Sequence, residues 1–121
     1  MLHFETQEFD SPDLPNSGIN MDNAFLQMLN DARGIAGIPF NITSGYRTKD
    51  RNKLVGGVAN SSHLVGKAAD ISVQSGNERY IIINALIKAD FKRIGVAKTF
   101  IHCDNDSLEQ GGTKPNSIWT Y

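Results

Sequence analysis

Cysteine is nearly absent from this chain: Cys103 is the single one in 121 residues, so no internal disulfide can form and the fold must be self-sufficient in a reducing compartment. Neither sign of charge dominates, with 12 basic and 13 acidic side chains and a net charge of -1. No run of Lys or Arg is available to follow a phosphate backbone, and nucleic acid is excluded from the expected partners. Long apolar runs are missing as well. The longest aliphatic stretch, Tyr80 to Ile83, is far short of the roughly 20 residues that cross a bilayer, so no membrane segment is expected. Met1 to Asp10 shows neither the basic start nor the apolar run of a secretory signal, which sets an expectation of cytosolic synthesis without a signal peptide.

What is present suffices for one core. A hydrophobic content of 40% in a chain of this length fits one domain over residues 1–121, expected to be monomeric. Residues 10–20 are rich in turn formers and read as an irregular surface lead-in. From Asp22 or Asn23, apolar residues recur at Phe25, Met28, Leu29, Ala32, Ile35 and Ala36, a helical spacing that Gly37 and Pro39 end. Phe40 to Ser44 reads as a strand, Thr48 to Leu54 as a short helix, and Ala68 to Val73 as a buried strand entered through Gly66. Asn77 to Ala89 has Tyr80, Ile83, Leu86 and Ile87 at helical spacing, although its three consecutive isoleucines also suit a strand. Arg93 to Val96 and Thr99 to Asp104 read as two short strands, and the apolar end Ile118 to Tyr121 should dock. This mixed order predicts an α+β fold, a small mainly antiparallel sheet with flanking helices.

Histidine is scarce, which makes the positions of the few informative. His63 lies in a loop seven residues before Asp70, at the start of a predicted strand, and a loop that returns into a strand can bring the two side chains together. His102 and Asp104 are two apart in the last predicted strand, so both share one face while Ile101 and Cys103 point to the other. Imidazole nitrogen and carboxylate oxygen are zinc ligands, and a catalytic zinc keeps three protein ligands with one open position. Each residue alone also has an ordinary explanation: a loop histidine, a strand-edge aspartate, a hydrogen-bonded core histidine. For Cys103, the inward face and the lack of a histidine partner favour a buried thiol over a nucleophile.

Three motifs taken together resemble a known family. Ser44-Gly45-Tyr46-Arg47, then Ser61-x-His63 with Gly66-x-Ala68-x-Asp70, then Phe100-Ile101-His102-x-Asp104 look like the zinc D-alanyl-D-alanine carboxypeptidases. Within that superfamily the chain looks closest to short phage and bacterial murein peptidases, which end in a segment similar to Ile118-Trp119; hedgehog signalling domains share the fold, and their ligand strand resembles Ile101-His102-Cys103. The resemblance implies zinc held by His63, Asp70 and His102, and Arg47 binding substrate and polarising the scissile carbonyl. For Ser61 it implies a hydrogen bond to substrate, against which stands a simple turn-forming role.

One departure is visible. Where related enzymes carry a Glu or Asp as general base, a few residues before the last zinc histidine, this chain has Val96-Ala97-Lys98-Thr99. Asp104 is the remaining nearby carboxylate, open to two roles, general base or orienting partner of a ligand, with the second slightly favoured. The activity implied is metal-assisted hydrolysis of D-amino-acid-containing peptides of bacterial peptidoglycan. An endopeptidase and a carboxypeptidase both fit. With no signal peptide, the expected setting is a phage or prophage lysis enzyme made in the host cytoplasm and released to the cell wall. The rivals are a hedgehog-like binding module with structural zinc and a virion-attached peptidase subunit.

Overall fold

The computed structural model describes residues 3–121, an α+β arrangement of three helices and one five-stranded open sheet. Asp22 starts the first long helix, its carboxylate accepting the N–H of Phe25 at 2.9 Å, and Gly37 ends it in the left-handed region at φ 69°. Between these caps, α1 (Asn23–Ala36) buries Phe25, Leu29 and Ala32. A six-residue helix, α2 (Lys49–Leu54), begins at Thr48, whose hydroxyl accepts from Arg51 N at 3.1 Å.

The third helix, α3 (Gly76–Lys88), confirms the element and corrects its face. Ile82, Ala85 and Leu86 are the buried residues, whereas Tyr80 and Ile87 are 69% and 53% exposed. The isoleucine run puts an aliphatic group on several sides of the helix, so periodicity cannot select one; packing against α1 and the central strand does.

The strands are β1 (Ile42–Ser44), β2 (Ala68–Ser72), β3 (Arg93–Val96), β4 (Phe100–Asp104) and β5 (Ser117–Thr120), in the order β1-β2-β4-β3-β5. All pairs are antiparallel except β3 with β5. The expected strand from Phe40 starts two residues later, because Phe40 turns into the core instead. The apolar terminus docks as edge strand β5.

Alternation gives the sheet two unlike faces. Ala69, Ile71, Ile94, Ile101 and Cys103 are buried in one hydrophobic cluster with Phe25, Leu29, Ile82 and Leu86 of α1 and α3. The N-terminal Phe4 and Phe9 join the same cluster.

Residues 10–20 lie largely at the surface, as expected, but they are anchored and not irregular throughout. Ser11, Ser17 and Gly18 are buried, and Ser17–Asn20 forms a turn of 3₁₀ helix. Side chains take the backbone donors: Asp10 accepts from Asn16 N at 3.0 Å and Gly18 N at 2.7 Å, and Ser17 Oγ accepts from Ser11 N at 2.7 Å. With those polar groups satisfied locally, the segment can pack against the body.

Candidate metal centre and cleft

Directly paired residues build a polar row across the face of the sheet opposite the core. Ser44 pairs with Asp70, Asp70 with His102, His102 with Gly95, and Gly95 with Trp119. The chain from Ser62 to Val65 forms a 3₁₀ turn that brings His63 over this row, with Gly66 ending it at φ 71°. Ser61 caps that turn, its hydroxyl accepting from His63 N at 3.2 Å.

The three expected ligands come together. His63 Nε2 lies 3.3 Å from Asp70 Oδ1, and His102 Nδ1 lies 3.0 Å from the same oxygen. One ligand atom from each of the three residues falls within 4.8 Å of the others. The outward nitrogens are also engaged: His63 Nδ1 bonds Gly45 O at 2.7 Å, and His102 Nε2 bonds Asp104 Oδ2 at 2.7 Å. Such partners fix ring orientation and direct the inward nitrogens at a common point. The donor set, two imidazoles and a carboxylate, therefore fits a zinc ion. Gly45, whose carbonyl takes the His63 Nδ1 bond, has no room for a side chain, since a Cβ there would lie 2.7 Å from Phe9 Cα.

The electrostatics are those of a buried carboxylate among rings. Burial raises the pKa of Asp70, but hydrogen bonds from His102 and His63 and the electrostatic attraction of the two rings outweigh it and hold the carboxyl well below its usual range. Burial works against charge on His102 too, yet Asp104 and Asp70 together keep its pKa above the ordinary value. The Cys103 thiol, on the far face of β4, is pushed well up by burial, with Asp104 and Asp70 adding to the effect, as expected of a structural thiol.

Arg47 sits beside the cluster and is held at three points. Its Nε donates to Ser44 Oγ at 3.0 Å, one terminal nitrogen to Asn52 Oδ1 at 3.2 Å, and the other to Asp70 Oδ2 at 3.3 Å. Asn52 is buried and fixed in turn, donating to Val58 O at 2.9 Å. Asp104 is fully buried: Oδ1 accepts from Asp106 N at 3.1 Å and lies 2.9 Å from Arg93 Nε, a charge contact without hydrogen-bond geometry. Both of its oxygens are thus committed.

A cleft of about 430 Å³ opens over the cluster. Arg47, Ser61, His63, Asp70, His102 and Asp104, the six residues singled out from the sequence, all line it. Its far wall comes from β5 and the residue after it. Trp119 leans across β3 to lie 5.3 Å from the His102 ring, with Arg93 stacked 4.8 Å from its centre, and Tyr121 meets Phe100 at 5.1 Å. Gly95 allows this, since a Cβ there would lie 2.7 Å from the Trp119 ring. Sequence reasoning missed Asn52, Arg93, Lys114, Trp119 and Tyr121 as parts of the site. Gly95 was the available signal, because a glycine inside a strand often marks the close approach of another group.

Among the described residues no helix is long and apolar enough to cross a membrane. The family model described as Peptidase M15 matches residues 3–104. No curated protein matches the chain.

Proposed function

Given that the chain belongs to the peptidase M15 family, whose members are zinc-dependent, we propose that it hydrolyses peptide bonds in bacterial peptidoglycan with zinc held by His63, Asp70 and His102. The observation that carries this reading is the convergence of those three ligand atoms on the floor of a cleft beside Arg47. Zinc bound there would supply Lewis acidity, which polarises a peptide carbonyl and lowers the pKa of water so that hydroxide is available near neutral pH.

The chain's own residues bind and polarise the substrate. A guanidinium has five N–H donors, and three of those on Arg47 are used by Ser44, Asn52 and Asp70. The two left over serve the carbonyl oxygen as negative charge develops on it. Because the cradle holds the group rigidly, its stabilisation needs no reorganisation during the reaction. Ser61 Oγ accepts from His63 N and keeps its own hydrogen for a substrate carbonyl or carboxylate. Asp104 orients His102 rather than serving as base, since both of its oxygens already have partners.

The substrate class is a D-amino-acid-containing stem peptide or cross-link, and the setting is a phage or prophage lysis enzyme acting on the wall after release. A second reading, a zinc-containing binding module, draws on one observation: among the described residues Asp70 and Asp104 are the only side-chain carboxylates lining the cleft, and both are engaged. Incubation with outer-membrane-stripped cell walls decides between them. A peptidase clears the suspension and loses that ability to a chelator, and mass spectrometry of the released muropeptides names the bond from its new termini. Walls left intact by zinc-loaded protein would refute the peptidase reading.

A further inference from the structure

Two segments bring the proposed ligands together, the loop ending in His63 and the strand β4 carrying His102, and one ammonium group touches the supports of both. Lys114 Nζ donates to Asn60 O at 2.7 Å and to Ser62 Oγ at 2.9 Å, and lies 3.5 Å from Asp106 Oδ2. Ser62 donates to the same Asp106 oxygen at 2.8 Å. Asp106 N donates to Asp104 Oδ1 at 3.1 Å, and Asp104 holds His102 Nε2 at 2.7 Å. An unbroken path of polar contacts therefore runs from the residue before His63 to the outer nitrogen of His102.

Lys114 suits the junction. An ammonium has three donors, and three acceptors from two separate segments surround it. The Lys114 and Asp106 side chains are only 15% and 8% exposed, so this is not a solvated surface bridge. Lys114 also lies beyond residue 104, where the family match ends.

The geometry points to Lys114 as a positioning residue for the metal centre: its ammonium clamps the His63 loop to the Asp104–Asp106 support of His102 and so sets metal affinity. This rests on the zinc reading of the cluster. Groups that hold ligands in place typically change metal affinity by roughly 10- to 100-fold, although they never touch the metal.

The test is zinc affinity, measured by competition with a chromophoric chelator on the full chain. Lys114→Met removes the donors but strands the Asp106 charge, so Lys114→Met/Asp106→Asn is measured beside it to keep a folded comparison. Both should bind zinc about 10- to 100-fold more weakly than wild type. Lys114→Arg, which keeps charge and donors, should fall between them and wild type. The absorption spectrum of the cobalt-loaded double variant should shift as ligand geometry loosens. Ile82→Val, buried in α3 behind the opposite face, supplies the control: a lower melting temperature with unchanged zinc affinity. Wild-type affinity in both Lys114→Met variants, even with lowered melting temperature, would overturn the clamp while leaving the zinc site intact. Failure of the wild-type protein to bind zinc would remove the zinc reading and the clamp with it.

Discussion

The two faces of β4 differ in what they ask of each residue. Ile101 and Cys103 enter an apolar cluster where shape and volume decide fit, while His102 and Asp104, their immediate neighbours in sequence, enter a chain of charge-assisted contacts running from Asp70 to Arg93. The first face is stabilised by removal of apolar area from water. On the second, each buried charge costs desolvation energy that its partner offsets only in part, so the face is weak as a source of stability. Its organisation makes sense as preorganised chemistry. A five-residue strand thus serves stability on one side and ligand placement on the other, with the pleat keeping them apart.

The largest expected effect falls on the polar face. His102→Ala removes a proposed ligand and leaves Asp70 and Asp104 without the ring between them. Zinc content measured by atomic emission should drop from about one per chain toward zero, and hydrolysis should vanish with it, as three protein ligands are the usual minimum of a catalytic site. Retained stoichiometric zinc would break the contrast at its centre.

Arg47→Ala comes next. The guanidinium touches Asp70 but is not itself a ligand, so zinc should stay while turnover falls by about 100- to 1,000-fold, the range for losing one preorganised oxyanion donor. Turnover and zinc content measured on the same sample separate the two roles. Wild-type turnover would take Arg47 out of the chemistry.

Legibility in the sequence followed the same division. The convergence of His63, Asp70 and His102 was legible through the resemblance of three motifs to a known family and not through spacing alone, whereas strand alternation by itself placed His102 and Asp104 opposite Ile101 and Cys103. Lys114 and Trp119 escaped notice because their meaning lies in partners distant in sequence: Lys114 reaches Ser62 across 52 residues, and Trp119 reaches His102 only by leaning over Gly95. The face of α3 failed for a different reason, since Ile81, Ile82 and Ile83 satisfy several helical registers and tertiary packing selects among them. In residues 10–20, turn composition and surface position were read correctly, but not that Asp10 and Ser17 would satisfy the backbone well enough for Ser11, Ser17 and Gly18 to be buried.

Asp104→Asn sharpens the contrast within the polar face. The amide keeps the shape of the carboxylate and loses its charge, so His102 keeps a partner but a weaker one. Zinc should bind about 10- to 100-fold less tightly, with activity restored by excess metal, if Asp104 orients the ring. A rate about 100-fold or more lower at full zinc occupancy would instead make Asp104 the general base. Zinc titration monitored by activity distinguishes these outcomes directly.

The smallest effect should come from the residue beside the proposed ligand. Ile101 precedes His102 yet is fully buried in the apolar cluster, where it faces α3 and not the cleft. Ile101→Val deletes one methylene group and should cost about 0.5–1.5 kcal/mol of stability, a value readable from the midpoint of urea unfolding. Zinc affinity should not change, because the backbone pairing of His102 with Asp70 and Gly95 does not depend on the Ile101 side chain. Weaker zinc binding by Ile101→Val would mean that packing on the core face transmits through β4 to the ligand. In that case the two faces would form one mechanical unit, and their separation by the pleat would be incomplete.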